Sequence, residues 1–262
     1  MSGVRYEVDG PVAVVSIDRP QVRNAVDPET AAALRAAFDR VAADDAIAAA
    51  VLTGTDGCFC AGYNLAAFAA AGGDPGALDA LGPGRDGPMG PTRTTPPKPT
   101  IAAVEGYAVA GGLELAVWCD LRVVAADAVF GVFCRRWGVP LIDGGTVRLP
   151  RLIGLGRALD LILTGRPVAA DEALHIGLAD RVVTPGTALA EAVALARAIA
   201  AFPQRCLLAD RAAAYGQDGR GLAAALDAEA AGGLEVLRSG ESRAGASRFA
   251  GGAGRHGSFA SI

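Results

Sequence analysis

The chain has 262 residues, of which 52% are hydrophobic and 20% are charged, and its formal net charge at pH 7 is −4. A chain of this length can bury a sizeable core, and the composition is ordinary for a soluble globular protein. The small negative charge gives no reason to expect a nucleic acid or an anionic membrane as a partner. We expect one main domain with an appendage.

The cysteines and the amino terminus bear on the cellular compartment. The five cysteines are odd in number and irregularly spaced, which is typical of reduced thiols. No second cysteine or histidine cluster accompanies the pair Cys58 and Cys60, so this pair does not suggest a metal site. The residues from Met1 to Asp9 lack the hydrophobic core of a signal peptide, and no apolar run reaches the roughly 18 residues that a membrane helix needs. We therefore expect a cytoplasmic protein with no bound metal.

The first part of the chain alternates strands and helices. The residues from Val12 to Ile17 predict one strand of an opening hairpin, and those from Ala48 to Thr53 predict a buried strand. Between them, Asp27 and Pro28 are typical of the start of a helix, which we predict from Ala31 to Ala42. This order recurs along the chain and indicates an α/β fold.

The composition changes between Gly72 and Pro99. Glycine and proline are dense here, as in Gly82-Pro83-Gly84 and Pro96-Pro97. No packed element fits such a sequence. We predict either a long surface loop or a partly disordered segment.

The most informative stretch follows this loop. The apolar run from Ile101 to Val104 predicts a buried strand, and Gly106 and the pair Gly111-Gly112 lead from it into a helix predicted from Leu113 to Cys119. A strand, a glycine turn and a helix leave free backbone N–H groups at the helix start, where they suit a carbonyl oxygen that becomes an anion. Glu114 lies in the first helical turn, so its carboxylate can handle protons beside that oxygen.

The rest of the chain is predicted more coarsely. The residues from Leu121 to Val124 and from Val129 to Gly131 predict short strands. Farther on the sequence becomes purely helical, with helices predicted from Leu189 to Ala201 and from Leu222 to Leu237. The tail from Gly240 is rich in glycine, alanine, serine and arginine, and we expect it to be mobile.

Two motifs resemble those of a known family. The run from Gly106 to Ala116, followed by Cys119-Asp120, is similar to the central motif of the enoyl-CoA hydratase/isomerase (crotonase) family, and the run from Phe59 to Leu65 resembles the other loop of that family. Further matches run from Arg19-Pro20 to Leu178, so the resemblance covers nearly the whole chain. It implies a crotonase-like spiral of ββα units.

The resemblance also implies an activity and its residues. In the family, two backbone N–H groups hold the thioester carbonyl oxygen, and these would belong to Tyr63 and Gly111. Glu114 would be the acid/base, and coenzyme A would be part of an acyl-CoA thioester substrate, with no separate cofactor. The family also places the loop predicted from 72 to 99 over the entrance for the acyl chain, so the loop either gates substrate or is an insertion with no role.

The same resemblance implies where coenzyme A binds. The backbone from Ala61 to Leu65, including Tyr63 and Asn64, would contact the adenine, and Gly111 would lie beside the thioester. A lysine that often meets a phosphate in the family is replaced by Ala66-Ala67. Arg23 is the candidate substitute, although it could equally be a surface arginine with no role.

The chain departs from its relatives at the second catalytic position. Hydratases of this family carry a second glutamate, and counting from Glu114 places that position at Cys134. A thiol has an ordinary pKa of about 8.5 against about 4.3 for glutamate, so it cannot replace a carboxylate directly. Asp143 is the candidate replacement, one residue beyond Ile142, where some relatives carry a catalytic aspartate. The alternative is that Asp143 caps the helix after Gly144-Gly145.

These observations lead to one main hypothesis and two alternatives. The chain is expected to be an acyl-CoA enzyme that hydrates a 2-enoyl-CoA, with isomerisation by one carboxylate as the closest enzymatic alternative. A third possibility is an acyl-CoA-binding protein without turnover. We predict a spiral core over 1–184 and, as the family implies, a helical region over 185–262 that forms homotrimers or dimers of trimers.

Overall fold

The computed structural model describes residues 3–70, 72, 82, 84 and 86–257. These residues form two compact units, one that ends at Arg197 and one that begins at Ala198. The functional division that we place between 184 and 185 stays a prediction.

The first unit contains two sheets in addition to helices, in agreement with the predicted α/β class. The strands are β1 (Val4–Asp9), β2 (Val12–Ile17), β3 (Ala49–Gly54), β4 (Thr100–Val104), β5 (Tyr107–Val109), β6 (Leu121–Ala125), β7 (Val129–Gly131), β8 (Val168–Ala169) and β9 (Arg181–Val183). The larger sheet has the strand order β1-β2-β3-β4-β6-β9, in which β1 is antiparallel to β2 and the other pairs are parallel. The smaller sheet has the order β5-β7-β8, in which β5 is parallel and β8 antiparallel to β7.

The central parallel strands are continuous apolar runs because both of their faces are covered. All five residues of β4 are buried, as are all residues of β3 except Gly54. The strands predicted from Val12 to Ile17, Ala48 to Thr53 and Ile101 to Val104 are therefore confirmed within a residue or so.

Helices of the first unit surround these sheets. They are α1 (Pro28–Ala43), α2 (Leu65–Ala70), α3 (Gly111–Trp118), α4 (Gly145–Ile153), α5 (Leu155–Thr164), α6 (Ala170–Ile176) and α7 (Ala188–Ala200), which extends past the boundary of the unit. The predicted start of α1 is confirmed, because the Asp27 carboxylate accepts the N–H of Thr30 at 3.0 Å and Pro28 occupies the first turn.

Helix α3 lies at the centre of this core. All eight of its residues are buried. Trp118 packs edge-on against Phe38 of α1, with ring centroids 4.7 Å apart, and its indole N–H donates to the carbonyl of Thr94 at 2.7 Å. The end of the helix is thus held on two sides, which fixes where its amino terminus points.

The glycine- and proline-rich stretch is more ordered than its composition suggests. Residues 87–92 are buried, and Met89 is fully enclosed, so the prediction of a surface loop is wrong for this part. Pro91–Arg93 forms a short 3₁₀ helix. Much of the remaining prediction falls on 73–81, 83 and 85, which lie outside the described residues.

The second unit is helical. It contains α8 (Gln204–Gly216), α9 (Leu222–Ser239) and α10 (Glu241–Ala250). The expectation of a mobile tail from Gly240 is wrong over α10, because the Glu241 carboxylate caps α8 by accepting the N–H groups of Arg205 at 3.2 Å and Cys206 at 2.8 Å. Residues 258–262 lie outside the described part of the tail.

Within the described ranges, no single helix has both the length and the hydropathy of a membrane span. Among the described helices, only α7 and α8 taken together satisfy those two criteria.

Candidate active site

Two loops that are distant in sequence form one structure at the start of α3. The Cys60 N–H donates to the carbonyl of Tyr107 at 2.8 Å, and the Val109 N–H donates to the carbonyl of Cys60 at 3.1 Å. A side chain at Gly112 would overlap the Cys60 carbonyl. The glycine at this position therefore allows the two loops to touch through their backbones.

The next residues of the two loops are also in close approach. Gly62 has a φ of +96°, and a Cβ there would lie 2.9 Å from the backbone nitrogen of Gly111. Ala110 has a φ of +54°, a strained conformation for a residue with a side chain, and it immediately precedes α3. Within the described part of the chain, neither the Tyr63 N–H nor the Gly111 N–H donates a hydrogen bond.

Both loops border a cavity of about 480 Å³. The structure brings to its wall nearly all of the residues that the sequence singles out, namely Ala61, Tyr63, Asn64, Leu65, Gly111, Glu114, Cys134 and Asp143. Arg23 is the exception among them, since its side chain is exposed and Val22 lines the cavity instead. The Arg23 carbonyl accepts the N–H of Ala61 at 3.0 Å, so the backbone of Arg23 holds the start of the loop from Ala61 to Leu65.

Glu114 is buried in this cavity, with 2% of its surface exposed. Its Oε1 atom accepts the N–H of Asp143 at 2.9 Å and the N–H of Gly145 at 2.8 Å. Burial and, to a smaller extent, the negative charge of Asp143 raise the pKa of Glu114, the two hydrogen bonds lower it, and the net result is a pKa of about 7 instead of 4.5. The carboxyl therefore exchanges a proton near neutral pH.

Asp143 is the second carboxylate of the cavity and is 3% exposed. Its Oδ1 atom accepts the N–H of Met89 at 3.1 Å and the hydroxyl of Thr92. Burial raises the pKa of Asp143 above its ordinary value, and these two hydrogen bonds lower it. The alternative that Asp143 caps α4 is wrong, because the residue at the helix cap is Gly144 and the carboxylate is held by the segment before β4.

Cys134 occupies the place expected for a second glutamate, and it lines the cavity with 6% of its surface exposed. Burial raises the pKa of its thiol, and the nearby charge of Glu114 raises it further. The thiol is thus neutral at physiological pH. It contributes a small, weakly polar surface to the wall beside the two carboxylates.

The remaining wall of the cavity is apolar. Phe68, Phe133 and Trp137 line it, and the ring of Tyr63 lies edge-on to that of Phe68 with centroids 6.3 Å apart. Trp137 is 71% exposed, which places its ring at the opening to solvent. Such a surface suits the apolar part of a ligand.

Sequence reasoning missed the residues that support Asp143. Met89 and Thr92 lie more than 50 positions before it, in a segment whose composition predicts a loop. Arg148 also belongs to this region, and it donates to the carbonyl of Asp143 at 2.9 Å. Only Arg148, five residues after Asp143 on α4, could have been connected to the site from the sequence.

The described residues contain no group of three or more histidine, cysteine, aspartate or glutamate side chains that could hold a metal ion.

Comparison with known proteins decides the family. The family model for enoyl-CoA hydratase/isomerase matches residues 7–251. The chain belongs to the enoyl-CoA hydratase/isomerase family. A relative from Mycobacterium tuberculosis, enoyl-CoA hydratase EchA19, is 42% identical over 194 residues, which cover 73% of this chain and 72% of that protein. The (E)-benzylidenesuccinyl-CoA hydratase of Thauera aromatica is 37% identical over 217 residues, covering 82% and 83% of the two chains.

Solved structures of the family share the fold. The crystal structure of an enoyl-CoA hydratase from Mycobacterium tuberculosis superimposes with a TM-score of 0.88 at 35% identity, and the match covers 95% of this chain and 96% of that one. The predicted crotonase-like fold is therefore confirmed. As a member of this family the chain is an enzyme, and the two loops and the glutamate that the resemblance singled out border one cavity.

Proposed function

We propose that this enzyme adds water to the double bond of a 2-enoyl-CoA thioester. The observation that carries the proposal is the pair of buried carboxylates, Glu114 and Asp143, in one cavity whose wall also includes the backbone of Tyr63 and Gly111. Hydration needs both kinds of group, because a proton leaves water, another proton is added to carbon, and the thioester oxygen becomes negative in between.

The backbone N–H groups of Tyr63 and Gly111 would hold the thioester oxygen. Neither donates elsewhere within the described residues, and the close approach of Gly62 to the Gly111 nitrogen keeps the two loops together. Donors fixed in this way stabilise the enolate without having to reorganise. Removal of one such donor typically costs about 3 to 4 kcal/mol in the activation barrier.

The two carboxylates would divide the proton transfers. The like charges and the burial make one shared proton the favoured state near neutral pH, and Glu114, with a pKa of about 7, holds it. An ionised carboxylate can take the proton of the attacking water as its oxygen bonds to C3, while a protonated one gives a proton to C2. A pair with one proton therefore has both an acid and a base.

The rest of the substrate would bind along surfaces already described. The acyl group would lie against Phe68, Phe133 and Trp137, and the coenzyme A part would follow the backbone from Ala61 to Leu65, with Arg23 near a phosphate. No cofactor apart from the coenzyme A of the substrate is proposed. The relatives named as hydratases of coenzyme A thioesters support this substrate class.

Isomerisation of an enoyl-CoA is the second candidate. It is favoured by one observation, the neutral thiol of Cys134 where other hydratases carry their second glutamate. In this reaction Glu114 alone would move a proton between two carbons of the acyl chain. An acyl-CoA-binding protein without turnover is not supported, because the chain belongs to a family of enzymes and the pKa of Glu114 is raised to about 7.

We further propose that the protein is a homotrimer or a dimer of trimers in the cytoplasm. The family membership and the separate helical unit from Ala198 support this assembly. Light scattering after size-exclusion chromatography tests it, and a monomer at micromolar concentration would contradict it.

The activity is tested by the loss of the enoyl-thioester absorbance with crotonyl-CoA and longer 2-enoyl-CoAs. Wild type is compared with Glu114→Gln and Asp143→Asn, and binding of the thioester is measured in parallel. We expect hydration that falls by at least about 100-fold in both variants, as for the loss of an acid or a base. Binding of the thioester without hydration by the wild type would overturn the proposal. A large fall in the rate of absorbance loss in Glu114→Gln but not in Asp143→Asn would favour isomerisation.

A further inference from the structure

The segment from Gly87 to Arg93, which we call the support segment, is shaped around the carboxylate of Asp143. The Thr92 hydroxyl and the Met89 N–H both donate to its Oδ1 atom. A Cβ on Gly87 would overlap both that oxygen and the Thr92 hydroxyl, so only glycine leaves room for the hydrogen bond between them. Two positions of this short segment therefore donate to one oxygen atom, and a third, Gly87, leaves room for it.

Two arginines attach the support segment to the chain on both sides of Asp143. Arg148 donates to the carbonyl of Asp143 at 2.9 Å and to the carbonyl of Thr92 at 2.7 Å. Arg93 donates to the carbonyl of Ile142 at 3.1 Å. The backbones before and after the carboxylate are thus held to the same segment that holds its oxygen.

We propose that Thr92 is a positioning residue for the catalytic carboxylate of Asp143, and that the support segment takes the place of the missing second glutamate by fixing an aspartate in the cavity. This inference rests on the proposed hydration. It adds to that function a residue that the family motifs do not contain, because Thr92 touches Asp143 and not the reacting atoms.

The physical need for such support comes from the neighbouring charge. An ionised Glu114 carries the same charge as Asp143 in the same buried cavity, so an unsupported aspartate would turn away or stay protonated. The groups that face Asp143 are Glu114, the phenol of Tyr63 and the guanidinium groups of Arg93 and Arg148. Only the Thr92 hydroxyl and the Met89 N–H donate directly to its carboxylate among the described residues.

The test compares Thr92→Val, which keeps the shape but removes the hydroxyl, with Thr92→Ser, which keeps the hydroxyl. We expect Thr92→Val to lower kcat for hydration by about 10-fold to 100-fold, a part of what general acid/base catalysis supplies, with KM changed less than about threefold. Thr92→Ser should stay within about threefold of wild type. Thr94→Val is the matched control, since the Thr94 hydroxyl donates to the carbonyl of Pro91 and not to Asp143.

A second measurement does not depend on turnover. The carboxyl carbon of Asp143 can be titrated by NMR in the ligand-free protein, and its pKa should rise in Thr92→Val because a hydrogen bond to the ionised form is lost. Thr92→Ser and Thr94→Val should leave that pKa where it is. An unchanged pKa in Thr92→Val, or full activity of that variant beside an inactive Asp143→Asn, would overturn the positioning role.

The combined variant Thr92→Val/Asp143→Asn separates the inference from the proposed function. If Thr92 acts through Asp143, this variant should be no slower than Asp143→Asn alone. Additive losses would show that Thr92 acts elsewhere and would overturn the inference while hydration stands. If the wild type does not hydrate any enoyl-CoA, the proposed function fails, and the NMR titration still decides whether Thr92 holds Asp143.

Discussion

The cavity has two walls that are built on different principles. The first, which we call the loop wall, consists of residues 60–63 and 109–112, and it offers backbone N–H groups held by glycine contacts. The second, the carboxylate wall, consists of the support segment and residues 143–145, and it offers a side chain held by long-range hydrogen bonds. Glu114 joins them, since it lies on α3 of the first and accepts N–H groups from the second.

The difference shows which perturbations each wall can tolerate. The loop wall depends on space, because its donors are main-chain groups that no substitution except proline removes, but an added carbon atom can push them apart. The carboxylate wall depends on hydrogen bonding and charge, so pH and the loss of a single hydroxyl should affect it most. The following predictions test this contrast.

The largest effect is expected from Gly62→Ala in the loop wall. The new Cβ would lie 2.9 Å from the Gly111 nitrogen at a residue with a φ of +96°. We expect kcat to fall by about 100-fold, as for the loss of one oxyanion donor, together with a loss of about 1 to 3 kcal/mol in unfolding free energy.

The matched control for this variant is Gly57→Ala. Gly57 also has a left-handed φ, +67°, but a Cβ there meets nothing within 4 Å. It should cost stability and leave kcat within about threefold of wild type. Equal losses of kcat in the two variants would show that strain alone, and not the spacing of the loops, determines the rate.

The next largest effect is expected on the unfolding free energy, which burial of Glu114 makes dependent on pH. Because the pKa of Glu114 is raised in the fold from 4.5 to about 7, the folded state binds its proton more tightly than the unfolded state does, and stability falls as pH rises between these values. Glu114→Gln removes that fall. The variant should gain about 3 kcal/mol over wild type between pH 4 and pH 8, at about 1.4 kcal/mol per pKa unit.

Urea unfolding at several pH values measures this gain. Glutamine can still accept the N–H groups of Asp143 and Gly145, so the comparison isolates the charge. A constant difference between the two proteins across that pH range would contradict a raised pKa for Glu114.

The pH dependence of kcat/KM, which reports the ionisations of the free enzyme, distinguishes a pair of carboxylates from a single one. With one shared proton as the active state, the rate should rise as Asp143 ionises and fall above a pH of about 7 as Glu114 loses its proton, by about tenfold per pH unit on the falling side. A single ionised Glu114 acting as base would instead give a rate that rises through pH 7 and then stays level. Stopped-flow assays at constant ionic strength separate these two shapes.

The smallest effect is expected at Cys134. Its thiol is neutral and lies beside the carboxylates without replacing one, so Cys134→Ser should change kcat by less than about threefold. The same hydration assay measures it. A loss near that of Asp143→Asn would show that the thiol takes part in proton transfer, and the assignment of the second carboxylate would then be wrong.

The sequence was sufficient for the loop wall. The Gly111 donor follows from local rules, since a strand, a glycine turn and a helix place free N–H groups at the first turn wherever the rest of the chain lies, whereas the Tyr63 donor is implied by the resemblance of its loop to the family motif. The order of strands, the start of α1 and the position of Glu114 also follow from periodicity, capping and the two family motifs. The errors at residues 87–92 and over α10 have a common cause, because composition predicts flexibility unless a distant group binds the segment.

The sequence by itself determined the family, the α/β order and the backbone half of the site, because these depend on residues close together in the chain or on patterns of apolar spacing. Only the tertiary structure decided that Asp143 enters the cavity and is held by Thr92 and Met89 rather than capping α4. It also decided that Glu114 is buried beside a like charge, which gives it a pKa of about 7. The burial and the electrostatic environment of a residue depend on all of its neighbours together. These neighbours come from segments that are distant in the chain, and their sequences do not indicate that they will be in contact.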